Sequence, residues 1–266
     1  MHVHFLDPYR PRSSPVHALD PRLKLVLTLG FILTTALVPP DAWPVYILLL
    51  AIVLSVEIIS DLGVGTVLKR SALALPFVLA AVPILFTIPG TALWSIQIGP
   101  WELVLSAAGL ERFASIAAKS WISVQAAIIL ASSTPFPELL AAMRAIRIPR
   151  LLVAIFSLMW RYLFVLVDEA LRLLRARASR SGRSDQPGLK TGGSLAWRGR
   201  VAGGMAGNLF LRAYERSERI YMAMLARGYD GEIRKEPLPR LGPGGWLLLG
   251  VGLSVYLILL VVSLIL

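Results

Sequence analysis

Long apolar runs separated by short polar connectors constrain the fold of this chain more than any other feature. A helix needs about 20 apolar residues to cross a bilayer, and five runs reach or approach that length. Hydrophobic residues make up 56% of the sequence and charged residues only 16%, against about a quarter in soluble domains. The sequence therefore predicts an all-α polytopic membrane protein. The five predicted spans are Leu23–Val38, Trp43–Ile59, Ala72–Ile88, Phe113–Ala131 and Trp246–Leu266.

Basic residues are concentrated between the fourth and fifth runs. The segment from Ser133 to Gly242 carries 19 of the 27 basic and 9 of the 16 acidic residues, which is +10 of the net charge of +11. Because cytoplasmic loops of membrane proteins are enriched in Lys and Arg, this segment and the N-terminus are predicted to lie in the cytoplasm. The expected location is the cell (inner) membrane, and the expected electrostatic partners are anionic lipids rather than nucleic acid.

This distribution predicts three regions along the chain. Residues 1–132 form an N-terminal tail and four transmembrane helices, 133–242 a cytoplasmic module of amphipathic helices, and 243–266 a final transmembrane helix. Leu151–Val167 is apolar enough to span, but basic residues flank it on both sides and Arg161 would lie near the bilayer centre, at a cost of about 3 kcal/mol. We therefore expect a long helix at or below the membrane surface that continues to about Ser179.

The cytoplasmic segment contains two helices that end in similar ways. One covers Gly207–Gly231 and packs apolar side chains on one face and charged ones on the other, which predicts pairing with the helix that begins near Leu151. Gly228 stops it as a helix-terminating glycine. Arginines flanked by small residues are free to pair with carboxylates in a groove, although a solvated basic face would have the same pattern. The two ends comprise Ala176, Arg177 and Ala178, and Ala226, Arg227 and Gly228.

The residue patterns of several chemistries are missing from the sequence. It has no cysteine, no phosphate-binding GxxxxGK[ST] loop, and no HExxH or GxSxG motif, so we predict no catalytic residue, no bound cofactor and no enzymatic activity. His2 and His4 are isolated near the N-terminus, and we predict no metal site there. Lys119 is the one clear charge within a predicted span; we expect it to extend to the outer surface rather than to line a polar contact between helices.

Three segments together resemble a known family across nearly the whole chain. They are ERSERIYMAMLARGYDG at 215–231, RARAS at 175–179 and SSPVHALDPRLKL at 13–25. They are similar to the transmembrane T component of energy-coupling factor (ECF) transporters, the EcfT/CbiQ family, and closest to its cobalt-type branch. The end at 176–178 departs from the usual pattern, since Ala178 stands where the family has Gly or Ser.

The resemblance implies a non-catalytic subunit that couples two ABC-type ATPase subunits to a substrate-binding membrane subunit. It implies that the two arginine-bearing ends, at Arg177 and Arg227, belong to crossed coupling helices and dock on the two ATPases, which bind ATP and Mg. The implied substrate is cobalt or another transition-metal ion. The alternatives are a T component for a vitamin, a conventional ABC permease, a membrane enzyme, or a basic scaffold that binds anionic lipids.

Overall fold

The structure, a computed structural model, describes residues 8–98, 101–180, 194–231 and 239–265, and it is helical apart from one β-hairpin. The helices are α1 (Pro15–Ala18), α2 (Pro21–Leu37), α3 (Trp43–Ile59), α4 (Val64–Ser71), α5 (Leu75–Ala80), α6 (Ile84–Thr87), α7 (Ala107–Ser133), α8 (Phe136–Ala145), α9 (Arg150–Arg180), α10 (Leu195–Leu225) and α11 (Pro243–Ile265). The antiparallel strands are β1 (Ala92–Ile98) and β2 (Trp101–Ser106). The prediction of an all-α polytopic membrane protein is confirmed, and the hairpin between α6 and α7 is an addition to it.

The chain forms two compact units. One contains Pro8–Ile146 and Pro237–Leu266, and we call it the membrane unit; the other contains the described residues of 147–236, and we call it the helix-pair unit. Four described helices are long and apolar enough to cross a membrane: Val64–Thr87 taken as one, Ala107–Ser133, Arg150–Arg180 and Pro243–Ile265. Trp43–Ile59 is apolar but shorter. By length and composition α9 thus qualifies as a span, although the sequence predicted that it lies at or below the surface.

The third predicted span is broken where the sequence places prolines. A 3₁₀ turn over Ala72–Ala74 joins α4 to α5, Pro76 lies in the first turn of α5, and Pro83 caps α6. Proline removes a backbone donor and crowds the preceding turn, so interruptions at these positions are expected. Val64–Ser71, which precedes the predicted span Ala72–Ile88, is also helical and lies in the same membrane-length segment.

The packing of α2 fixes the directions of its neighbours. A Cβ added to Gly245 would lie 3.4 Å from Leu23, and one added to Gly30 would lie 3.4 Å from Leu253, so α2 and α11 run parallel at close range. At the start of α2, Lys24 Nζ donates to the carbonyl oxygen of Ser133, the last residue of α7, at 3.1 Å. Since α7 therefore ends where α2 and α11 begin, the chain leaves α7 and enters α11 at one end of the membrane unit.

Lys119 makes the second contact between α7 and α2. Its Nζ donates to the carbonyl oxygen of Ala36 at 3.2 Å, in the last turn of α2. A cation at the C-terminal end of a helix is favoured by the helix dipole and by the unpaired carbonyls there. The structure therefore shows a polar contact between helices, whereas the sequence favoured extension of Lys119 to the outer surface. This contact and the one from Lys24 tie the two helices together near both ends of α2.

The core of the membrane unit lies between α2, α3 and α7. It includes Phe31 of α2, Leu49 and Val53 of α3, and Ile122 of α7, all nearly or fully buried. The Tyr46 hydroxyl lies 2.8 Å from both Ser115 Oγ and the carbonyl oxygen of Pro39, which links the three helices at the end remote from Lys24. Apolar burial combined with a few paired polar groups is the usual way to satisfy backbone and hydroxyl groups inside a membrane.

Gly109 allows the close approach of α7 to α6. A Cβ there would lie 2.8 Å from the backbone oxygen of Leu85 and 3.0 Å from that of Ile84. We expect Gly109→Ala to lower the free energy of unfolding by about 1–3 kcal/mol, because backbone atoms cannot move aside cheaply. Gly65→Ala is the matched control, since nothing lies within 4 Å of its added Cβ and alanine favours helix. Thermal unfolding in detergent should shift in opposite directions for the two variants; equal shifts would contradict the close approach.

Candidate functional site

The helix-pair unit consists of α9 and α10, each covering 31 residues. Arg212 Nη1 of α10 forms an ion pair with Glu169 Oε1 of α9 at 2.7 Å. Two cation–π contacts join the same helices, Arg216 over Tyr162 at 6.0 Å and Arg177 over Trp197 at 5.9 Å. From Tyr162 through Glu169 to Arg177, residue numbers increase along α9, while those of their partners on α10 decrease from 216 through 212 to 197. The two helices are therefore antiparallel. The predicted pairing of these two helices is therefore confirmed.

The end of α9 lies close to its prediction, which placed it at about Ser179. The helix continues through Ala176, Arg177 and Ala178 to Arg180, so Arg177 lies in the last described turn of α9. Ala176 and Ala178 are exposed, whereas Arg177 is half-buried because the Trp197 ring covers one side of its guanidinium. A stacked arginine is held in one orientation, and its in-plane N–H donors remain available to carboxylates.

The end of α10 has the geometry that the sequence predicted. Gly228 has φ +78°, and the Tyr229 N–H donates to the Met224 carbonyl oxygen at 3.0 Å while the Gly228 N–H donates to that of Leu225 at 2.9 Å. These two bonds define a Schellman motif with Gly228 at the left-handed position. Ala226 and Arg227, which precede the glycine, are exposed. The backbone thus fixes where the helix stops and where Arg227 projects from.

The two arginine-bearing ends lie at opposite ends of the helix pair. Arg177 contacts Trp197 in the first turn of α10, and Arg227 follows the last turn of the same helix. At 1.5 Å per residue, the stretch of α10 between Trp197 and Arg227 is about 45 Å long. The pair therefore presents one arginine at each end of a rod whose middle is held by Glu169 and Arg212.

A second face of α10 is apolar and exposed. Half-buried residues such as Leu209, Ala213 and Ile220 face α9, and a different stripe of large side chains is open. Its members are Phe210, Leu211, Tyr214, Tyr221, Met222 and Leu225, each at least 45% exposed. Glu218 lies beside this stripe, and its hydrogen bond with the Tyr214 hydroxyl raises the pKa of that tyrosine. Exposed apolar stripes of this size are typical of interaction surfaces.

The described residues contain no group of three or more His, Cys, Asp or Glu side chains that could hold a metal ion. His2 and His4 lie outside the described residues. Both ring nitrogens of His17 are in hydrogen bonds, Nδ1 with Ser14 Oγ at 2.7 Å and Nε2 with the Arg10 carbonyl oxygen at 3.1 Å. His17 is thus a structural residue of the N-terminal segment.

The sequence did not identify some of the residues that belong to this site. Glu169, Tyr162 and Trp197 hold the two helices together but carry no recognisable motif. One signal was present, since Asp168 and Glu169 interrupt an otherwise apolar helix and a charge in that position needs a partner. The partner itself, Arg212, lies 43 residues further along the chain.

Apolar helices long enough to span, together with a separate charged helix pair, define an integral membrane protein with a helical module of its own. The chain belongs to the CbiQ family, described as cobalt transport proteins, whose model matches residues 12–238. It is accordingly the membrane component of a transporter, and the predicted family is confirmed.

The chain is similar to named relatives over most of its length. It is 28% identical to the cobalt transport protein CbiQ of Salmonella typhimurium, covering 85% of this chain and 97% of that one. It is 27% identical to the energy-coupling factor transporter transmembrane protein EcfT of Ruminiclostridium cellulolyticum, covering 84% and 82%. It is also 27% identical to a putative fused cobalt transport protein, CbiMQ, of Methanocorpusculum labreanum, covering 82% of this chain and 35% of the fused one.

Proposed function

We propose that this chain is the T component of an ECF-type importer, which transmits ATPase movements to a separate substrate-binding membrane subunit. The observation that carries the proposal is the pair of arginine-bearing ends, at Arg177 and Arg227. They lie at opposite ends of one helix pair that is held together by an ion pair and cation–π contacts. Two ATPase subunits offer two equivalent surfaces, and a rod with one arginine at each end can contact both. The chain has no catalytic role in this proposal, and ATP and Mg are bound by the ATPases.

The side-chain contacts between α9 and α10 are suited to transmitting movement. An ion pair and two cation–π contacts distributed along the helices limit sliding of one helix against the other. Movement of either end is then transmitted along the pair. The apolar stripe around Phe210 and Met222 is the proposed contact for the substrate-binding subunit, because flexible methionine and aromatic side chains can repack as a partner tilts.

The proposed topology places residues 133–242 and the N-terminus in the cytoplasm. Within the membrane unit, α7 ends and α11 begins at the same end as Arg22 and Lys24, which supports an even number of crossings between them. The charges of α10 make it unsuitable as a span, so α9 alone would give an odd number. We therefore propose that α9 does not cross, and that the five spans are α2, α3, the broken α4–α6 segment, α7 and α11.

Cobalt or another transition-metal ion is the proposed substrate, supported by the family description and by the names of the CbiQ relatives. The name of the fused relative supports a partner component, since the matched region is only 35% of that fused chain. The test is reconstitution of this chain with its two ATPases and the substrate-binding subunit in vesicles, with ATP-driven uptake of radioactive cobalt measured after each component is omitted. Uptake should require every component.

Three outcomes of this experiment are distinct. Transport by this chain and the ATPases alone would make it a conventional permease and overturn the proposal. Transport of a vitamin, but not of cobalt, with a vitamin-binding subunit would leave the coupling role and replace the substrate. ATP hydrolysis or lipid turnover by the purified chain alone would contradict the non-catalytic role.

A further inference from the structure

The membrane unit contains a cavity of about 380 Å³ that the proposed coupling role does not use. Its walls come from α1, α2, α3, α7 and α11, and they are mostly aliphatic, as with Val53, Val56, Ala126 and Ile129. Protein interiors are close-packed, and apolar cavities of about 150 Å³ already bind small apolar molecules. A cavity more than twice that size calls for an apolar occupant.

The charged end of the cavity is formed by Lys24, whose side chain is only 6% exposed. Its ammonium, which has three donors, donates to the carbonyl oxygens of Ser133 at 3.1 Å and His17 at 3.4 Å. Asp20 and Glu138 attract this charge, but none of the ion pairs found among the described residues includes Lys24. A buried ammonium is stabilised by an anion, so the occupant should carry one at this end.

The cavity reaches the surface near this charged end. Ile59, at the end of α3, and Leu248, near the start of α11, line it and are 52% and 38% exposed. At the other end Phe31 packs edge-on against Tyr256, with ring centroids 5.7 Å apart. The seven residue steps from Lys24 to Phe31 correspond to about 10 Å of helix. The cavity is therefore a blind apolar pocket with a cation beside its mouth.

We propose that this cavity binds one acyl chain of an anionic phospholipid whose phosphate pairs with Lys24. The mouth lies at the end of the spanning helices, which is the level of lipid headgroups, and its rim is apolar. A neutral apolar molecule would fill the cavity but would form no ion pair with Lys24. The bound lipid connects α2, α3, α7 and α11, and this inference is independent of the transport role.

The test uses the full-length purified chain, freed of lipid and then given phosphatidylglycerol or phosphatidylcholine. Native mass spectrometry counts bound lipids, and thermal unfolding measures stabilisation. The wild type should retain phosphatidylglycerol and be stabilised more by it than by phosphatidylcholine.

Ala126→Phe fills the cavity and should weaken phosphatidylglycerol binding about tenfold. Ala51→Phe, on an exposed face of α3 that does not line the cavity, is the matched control and should bind normally.

Lys24→Gln tests the contribution of the charge independently of the cavity volume. Glutamine can still donate to both carbonyls, so the variant should fold, bind lipid and lose the preference for phosphatidylglycerol; this variant carries the test if Ala126→Phe does not fold. Unchanged phosphatidylglycerol binding by a folded Ala126→Phe protein, or an unchanged preference in Lys24→Gln, would overturn the proposal. So would extraction of a free fatty acid, and no phospholipid, from the freshly purified wild type.

Discussion

Arg177→Glu combined with Arg227→Glu should abolish ATP-driven uptake while the protein still inserts in the membrane and binds its substrate subunit. In the proposed complex each substitution turns an attractive contact with a carboxylate into a repulsive one, and charge-assisted hydrogen bonds of this kind contribute about 1.5–3 kcal/mol each. Losing both corresponds to a weakening of ATPase association by at least about a hundredfold. Copurification of the ATPases with the tagged chain and uptake into vesicles measure the two effects.

Arg172→Glu combined with Arg219→Glu is the matched control. These arginines lie on the same two helices and are 70% and 72% exposed. Their replacement changes the net charge by the same amount as the double substitution at Arg177 and Arg227. Exposed pairs within a helix, here Arg219 with Glu215 and Arg172 with Glu169, contribute only about 0.3–0.5 kcal/mol. Glu169 keeps its shorter ion pair with Arg212, at 2.7 Å, so this variant should couple normally. Normal uptake by the double variant at Arg177 and Arg227 would show that the helix ends do not couple; equal loss in both double variants would mean that net charge alone matters.

Arg177 requires one more control because it also stacks on Trp197. A cation–π contact at an exposed site contributes about 0.5–1 kcal/mol to the pairing of the helices. Trp197→Ala removes this contact and leaves the arginine in place. If its loss of uptake matches that of Arg177→Glu, the stack on α10 is the important interaction and not a contact with the ATPase.

The helices that could be predicted best are those whose boundaries coincide with changes in hydrophobicity. α3 has the predicted bounds, and α2 begins only two residues before the predicted start. α4 was missed because Lys69, Arg70 and two small polar residues give Val64–Ser71 the composition of a connector. The hairpin was missed for a related reason, since β1 and β2 lie in a tryptophan-containing stretch that also suits an interfacial loop.

The candidate site was predictable where it depends on local chemistry and not where it depends on pairing. The stop at Gly228 follows from glycine's access to positive φ, and it is present. The start of α10 was placed about 12 residues too late, because Gly199, Gly203 and Gly207 each weaken a helix by about 1 kcal/mol. The first part of α10, which helix propensity alone does not predict, packs against α9 through the contact of Trp197 with Arg177.

Gly228 provides a test of whether the geometry of the α10 end matters as well as its charge. No atom lies within 4 Å of a Cβ added there, so a substitution meets no steric contact and acts only through the backbone at φ +78°. Valine in the left-handed region costs about 1–2 kcal/mol, whereas asparagine is tolerated there more easily. Gly228→Val should therefore fray the last turn, displace Arg227 and reduce ATPase copurification severalfold, while Gly228→Asn stays near wild type. Equal behaviour of the two variants, whether both normal or both impaired, would show that the Schellman motif does not position Arg227 for its partner.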